Sequence, residues 1–348
     1  MAGTARKAFV ATLVGVAVVV GVLALWKLKL VLSLVFLGFI IAAAMRPGIE
    51  ALKARGIPRG IGLALHYLLL AGLVALFLWL VVPRAVTQVQ NAVNQDQLRH
   101  AARHSTGVKH DLLVGLEKRL KRLPSGAKII RPAAQVTVRA FEVLIGIFFT
   151  LATAGYWIFE RDRAIDLVAS MLPRPKRKRM RDTWDLIDAK LGAFVRGQAL
   201  LVLLVGTVLS AGFAIIGLPY WLLVGSFAGL VEIVPVIGPI LAGALAIGVG
   251  LTVSWHTALG AGLIVLAVRV LEDYIVLPKV LGEATGLSPL VVLFSVSAIT
   301  ILFGGFAVLL AVPFAAVLAT LVDVIVRGRD PAAEDVPAVL FPAKDAEA

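Results

Sequence analysis

Cysteine is absent from this chain of 348 residues, so neither a disulfide framework nor a thiolate metal site is available to it, and its redox compartment is undetermined. Charge is also sparse. Asp, Glu, Lys and Arg make up 16% of the residues, against roughly 25% in an ordinary soluble domain. The signatures of several chemistries are missing too: there is no Walker lysine loop, no HExxH, no serine elbow and no pair of intramembrane aspartates. An ATP-driven pump, a zinc protease and an intramembrane protease are therefore not expected, and the chain reads as a non-enzyme. His100 and His104 are spaced i to i+4 with His110 nearby, but no glutamate accompanies them. They read as a solvated helix face, so no metal and no resident cofactor are expected.

What the chain has in abundance is hydrocarbon. Sixty per cent of its residues are hydrophobic, its mean hydropathy is +0.95, and apolar runs near 20 residues recur along it. That pattern predicts an all-α, polytopic membrane protein with about eight membrane segments. The formal charge of +13 sits between the apolar runs. It is therefore assigned to anionic lipid headgroups and to orientation in the membrane rather than to nucleic acid, for which no reading module is present.

The apolar runs divide the chain. Residues 1–83 hold three spans, Ala8–Trp26, Leu28–Met45 and Ile61–Val82. The first two are separated only by Lys27 and Lys29 and read as a helical hairpin; the third is ended by Pro83. Residues 84–139 carry Val and Leu at helical spacing among polar residues, as an amphipathic region outside or along the bilayer does. Residues 140–196 contain a fourth span and a basic loop, in which positions 173–181 hold six Lys or Arg in nine. The basic loops place the N- and C-termini in the cytoplasm of a bacterial inner membrane. Residues 197–326 form the candidate transport core, and 327–348 read as a disordered tail.

The most informative stretch is EIVPVIGP at 232–239. A helix broken by Pro235, Gly238 and Pro239 frees backbone groups that lipid cannot satisfy, so the break must be covered by protein or line a polar cavity. Each arm of segment 221–251 is about 14 residues, too short to span comfortably, which predicts a re-entrant helical hairpin. A second segment, 288–326, is interrupted at Gly304 and Gly305. One or two broken hairpins are expected, in an arrangement compatible with an inverted repeat and alternating access.

Glu232 is the leading functional candidate, because a carboxylate at a helix break can hold H+ or Na+ beside freed carbonyls; the bland alternative is a structural carboxylate. Arg269 and Glu272, three apart, share one helix face and can pair. Asp273 has no obvious local partner and is free to face a cavity or a second subunit. The bland reading places this whole group at the membrane interface. Gln198 is a candidate solute ligand and Arg196 an interfacial anchor. Gly225 and Gly229 have GxxxG spacing, which permits close packing within the hairpin or between subunits. A homo-oligomer is the expected assembly.

Four motifs occur in order: Gly217-Leu-Pro-Tyr220, GLVEIVPVIGP (229–239), LEDYIVLPKVLG (271–282) and LFGGFAVLLAVPFAA (302–316). On these the chain resembles the autoinducer-2 exporter family, multi-pass bacterial inner-membrane proteins also called the PerM-like permease group. The likeness covers nearly the whole chain. Ala307 stands where the family tends to have glycine. The resemblance implies export of a small solute such as autoinducer-2. Some members of the family are described as sodium/proton antiporters, so the solute and the coupling ion stay open. A non-transporting scaffold or sensor built on residues 84–139 is the alternative from another class, and it would leave the Glu232 break unexplained.

Overall fold

The computed structural model describes residues 2–93, 130–234, 237–276, 287–337 and 339–340. Among them there are ten α-helices and no strand. They are α1 (Ala2–Lys27), α2 (Lys29–Ala54), α3 (Arg59–Val93), α4 (Ile130–Ser170), α5 (Arg174–Ile215), α6 (Trp221–Val231), α7 (Ile237–Leu251), α8 (Trp255–Leu271), α9 (Pro289–Phe303) and α10 (Ala311–Leu321). Six helical segments are long and apolar enough to cross a membrane, and three shorter apolar helices accompany them. Most of the amphipathic region 84–139, with its three histidines, lies outside the described residues, as do Pro235 and the turn 277–286.

Several boundaries read from proline and charge move. The expected hairpin at Lys27–Lys29 is not formed. Leu28 donates to the Ala24 carbonyl and Leu32 donates to Leu28, so α1 runs almost directly into α2. Lysines cap nothing here, and no glycine or proline interrupts the ladder. Helix α2 passes through Pro47 and α3 through Pro83. Near Pro47, Arg196 on α5 donates through Nη1 to the Ala44 carbonyl of α2 at 3.1 Å.

The expected basic loop 160–196 is likewise helical. Helices α4 and α5 extend to Ser170 and from Arg174, so the pair is joined by only three residues. The cause is an ion-pair cluster. Arg161 on α4 is buried and donates through Nε to Asp188 on α5 at 2.5 Å, and through Nη2 to Asp185. Asp188 also pairs with Arg46 of α2 at 3.8 Å. This basic end of the molecule thus ties three helices together. Its residues were legible only as loop charges; the i, i+3 spacing of Asp185 and Asp188 on a helix that also carries Trp184 is the signal that could have found them.

Two helical hairpins follow. In the first, Val224 and Ala228 of α6 meet Ala242 and Ala246 of α7 in one buried cluster with Val205, Leu209 and Phe213 of α5. Glycines set the spacing. A Cβ at Gly229 would stand 2.6 Å from the Val202 carbonyl oxygen, and one at Gly225 would overlap Ser210. The GxxxG pair therefore packs α6 on α5 inside the chain, where close backbone approach gains dispersion contacts. In the second hairpin, Val296 and Ile299 of α9 pack on Ala307 and Ala311; Ala307 fills this contact with its methyl group. The Gly304 backbone turns at φ +94°, a conformation that favours glycine.

The hairpins point opposite ways. The first leaves the far end of α5 at Gly217 and its tip returns alongside Gln198. The second ends beside α5 at the basic end, where Arg179 donates to the Val324 carbonyl at 2.6 Å, so its tip lies away from that end. At that tip Lys29, the first residue of α2, reaches the Leu302 carbonyl at 3.5 Å.

Part of the 327–348 segment, expected to be disordered, packs on the protein. Glu334, Val336 and Val339 lie against α5. Glu334 pairs with Lys190 at 2.6 Å, and Val336 and Val339 cluster with Ala193. Two valines spaced three apart supply an apolar face that the Asp/Glu/Ala/Pro composition hides.

Candidate functional site

The tip of the first hairpin is where a short helix runs out of hydrogen-bond donors. Glu232 caps α6, its N–H bonded to the Ala228 carbonyl at 3.2 Å, and the next two N–H groups bond to Leu230 and Val231. The Gly238 N–H closes the turn on Val234 at 2.9 Å. A Cβ at Gly238 would collide with the Val231 carbonyl oxygen, so glycine is what allows α7 to start against the end of α6. The Glu232 carbonyl, which points past the end of its helix, accepts from Gln198 Nε2 at 2.8 Å. A side chain on α5 thereby replaces the missing helical donor, and the tip is held at a fixed depth along α5.

The carboxylate of Glu232 is 5% exposed and does not stand alone. Arg269 of α8 reaches Glu232 Oε1 through Nη1 at 3.4 Å and Glu272 Oε2 at 3.2 Å, while its Nη2 reaches Asp273 Oδ1 at 2.9 Å. Glu272, 4% exposed, shares Arg269 Nη1 with Glu232. Asp273, expected to lack a local partner, thus has one. Residues at i, i+3 and i+4 of a helix all share a face, and a π-helical turn over Glu272–Val276 carries both acids around to the arginine.

One guanidinium faces three carboxylates. With every group ionised, the cluster holds two more negative charges than positive ones. Burial of Glu232 and Glu272 makes that surplus costly unless it is compensated. The structure brings together Gln198, Glu232, Arg269, Glu272 and Asp273, with Gly238 supporting the turn and Pro239 in the first turn of α7. It does not bring Gly304 and Gly305 to them. Those glycines turn the second hairpin, where the six-residue 3-10 segment packs on α2, α9 and α10. Arg196, read as an interfacial anchor, is instead 7% exposed and bonded to two backbone carbonyls.

The sequence profile of the AI-2E family transporters matches residues 15–327. The chain belongs to the AI-2E transporter family. It is accordingly a multi-pass membrane protein and a membrane transporter.

Among curated relatives, "Putative transport protein YrrI" of Bacillus subtilis is 24% identical over 317 residues, covering 86% of this chain and 89% of the relative. "Putative transport protein MT0215" of Mycobacterium tuberculosis is 27% identical over 321 residues, covering 87% and 85%. "Putative permease PerM" of Escherichia coli K12 is 23% identical over 216 residues, covering 60% and 58%.

Proposed function

We propose that this AI-2E family member is a secondary transporter that exports a small solute such as autoinducer-2 by alternating access, coupled to an ion gradient through Glu232. The observation that carries the reading is the Glu232–Arg269–Glu272–Asp273 cluster at the tip of a broken helical hairpin. Three acids around one arginine offer a place for H+ or Na+, and the hairpin that carries Glu232 is the element whose movement would expose that ion. Two hairpins with opposed tips support an inverted repeat, with each hairpin re-entrant from its own side of a bacterial inner membrane.

In this reading the basic end faces the cytoplasm, in keeping with the excess of Lys and Arg there, and both termini with it. Anionic headgroups meet the basic residues at 173–181. The long, exposed apolar helix α1 and the exposed faces of α3 and α4 meet lipid or further copies of the chain in a homo-oligomer.

Solute counterflow in proteoliposomes tests the proposal, comparing the wild-type protein with Glu232→Gln under an imposed pH or Na+ gradient and offering labelled autoinducer-2. Accumulation by the wild type alone is the expected result. The surplus of carboxylates also favours a second reading, a sodium/proton antiporter. In that case no solute moves, yet added Na+ collapses a pH gradient. Inactivity of folded protein in both assays would sink transport and favour a scaffold or sensor.

A further inference from the structure

The C-terminal strap and the hairpin tip are held by neighbouring residues of one helix. Lys190, Ala193 and Arg196 recur every three residues on α5 and so form one stripe. Each of them holds the strap: Lys190 Nζ pairs with Glu334 Oε1 at 2.6 Å, Ala193 packs on Val336 and Val339, and Arg196 Nε donates to the Val339 carbonyl at 2.8 Å. Two residues beyond Arg196, Gln198 holds the Glu232 carbonyl. Arg196 also donates to Ala44 of α2, so strap, α2 and α5 meet on a single guanidinium.

Arg196 has no carboxylate partner among the described residues, and its Nη2 is buried without a hydrogen-bond partner there. Among the described residues, backbone carbonyls are what compensates this buried cation. Removing the Val339 carbonyl would leave it poorly satisfied, so strap release and movement of α5 against α2 are energetically linked.

We propose that the strap, through Glu334, Val336 and Val339, is a latch that locks α5 against α2 and thereby holds the Glu232 tip in the position seen here. Undocking of the latch frees α5, and with it the Gln198 grip on the hairpin. A factor that competes for Glu334 or Lys190 would release the tip. The proposal rests on the transport reading only for what the tip does afterwards. Its test therefore reads the tip directly and uses no solute.

The absence of native cysteine allows single reporters. Val339→Cys reports on the strap and Ile233→Cys on the tip, each labelled by a water-soluble maleimide in detergent-solubilised full-length protein. Glu334→Lys should speed labelling at both positions by about tenfold, equivalent to about 1.4 kcal/mol of closure. The charge swap Lys190→Glu with Glu334→Lys should restore slow labelling, which shows that the chain still folds. A chain ending at Asp330 should show the same fast labelling at Ile233→Cys. Acceleration at Val339→Cys with no change at Ile233→Cys overturns the coupling. No change at either site overturns the latch.

Discussion

Arg269 reaches Glu232 at 3.4 Å although the two residues are 37 apart in sequence and sit on different helices. That contact joins the hairpin tip to the end of α8. Either residue can therefore report on the other, and the cluster's energetics become measurable by paired substitutions.

Removing the arginine should be far worse than removing one acid. Arg269→Gln leaves two buried carboxylates in reach of each other with no cation, and should cost on the order of 3 kcal/mol of stability. Combining it with Glu232→Gln should recover part of that loss, because the surplus charge falls. Thermal unfolding of the four proteins of this cycle in detergent gives the coupling term. Additive losses would mean that the two side chains do not interact.

The α5–α6 contact predicts a sharp contrast between glycines. Gly229→Ala places a methyl group against the Val202 carbonyl and should destabilise by about 1–3 kcal/mol through forced separation of the helices. Gly248→Ala, where nothing lies within 4 Å of the added carbon, should be neutral or stabilising by up to about 1 kcal/mol through helix propensity. Equal melting temperatures for the two variants would contradict the packing described.

The basic end makes a third contrast, between two aspartates bonded to the same arginine. Asp188 has an 11% exposed side chain and pairs with Arg161 and Arg46, whereas Asp162 is 62% exposed. Asp188→Asn should cost about 3 kcal/mol, since it leaves the buried Arg161 undercompensated. Asp162→Asn should cost under about 1 kcal/mol, as expected of an exposed pair screened by solvent. Unfolding monitored by tryptophan fluorescence suits the comparison, because Trp157 and Trp184 pack together at 5.8 Å beside this cluster.

Much of the site was legible in the amino acids. Glu232 stood out because a carboxylate beside a proline-glycine break is improbable in an apolar segment, and the Arg269–Glu272 pair followed from helical spacing. Asp273, four residues from Arg269, shares the arginine's face as Glu272 does. Gln198 was singled out as a solute ligand, whereas one of its amide hydrogens is committed to the Glu232 carbonyl. Nothing local could reveal this, because the two residues meet only when α6 folds back along α5.

The linear order of residues determined by itself that the chain is helical and membrane-embedded, since backbone satisfaction in hydrocarbon leaves helices as the outcome for apolar runs of this length. It also determined where the first hairpin breaks, because proline and glycine act on their own backbone. Tertiary structure alone decided that the basic segment stays helical, where ion pairs between α2, α4 and α5 tie the helices together. It alone set the two hairpin tips in opposite directions and bound the acidic tail to α5. Those outcomes depend on which surfaces meet, and a contact such as Arg196 with Val339, 143 residues apart, leaves no periodic trace in the sequence.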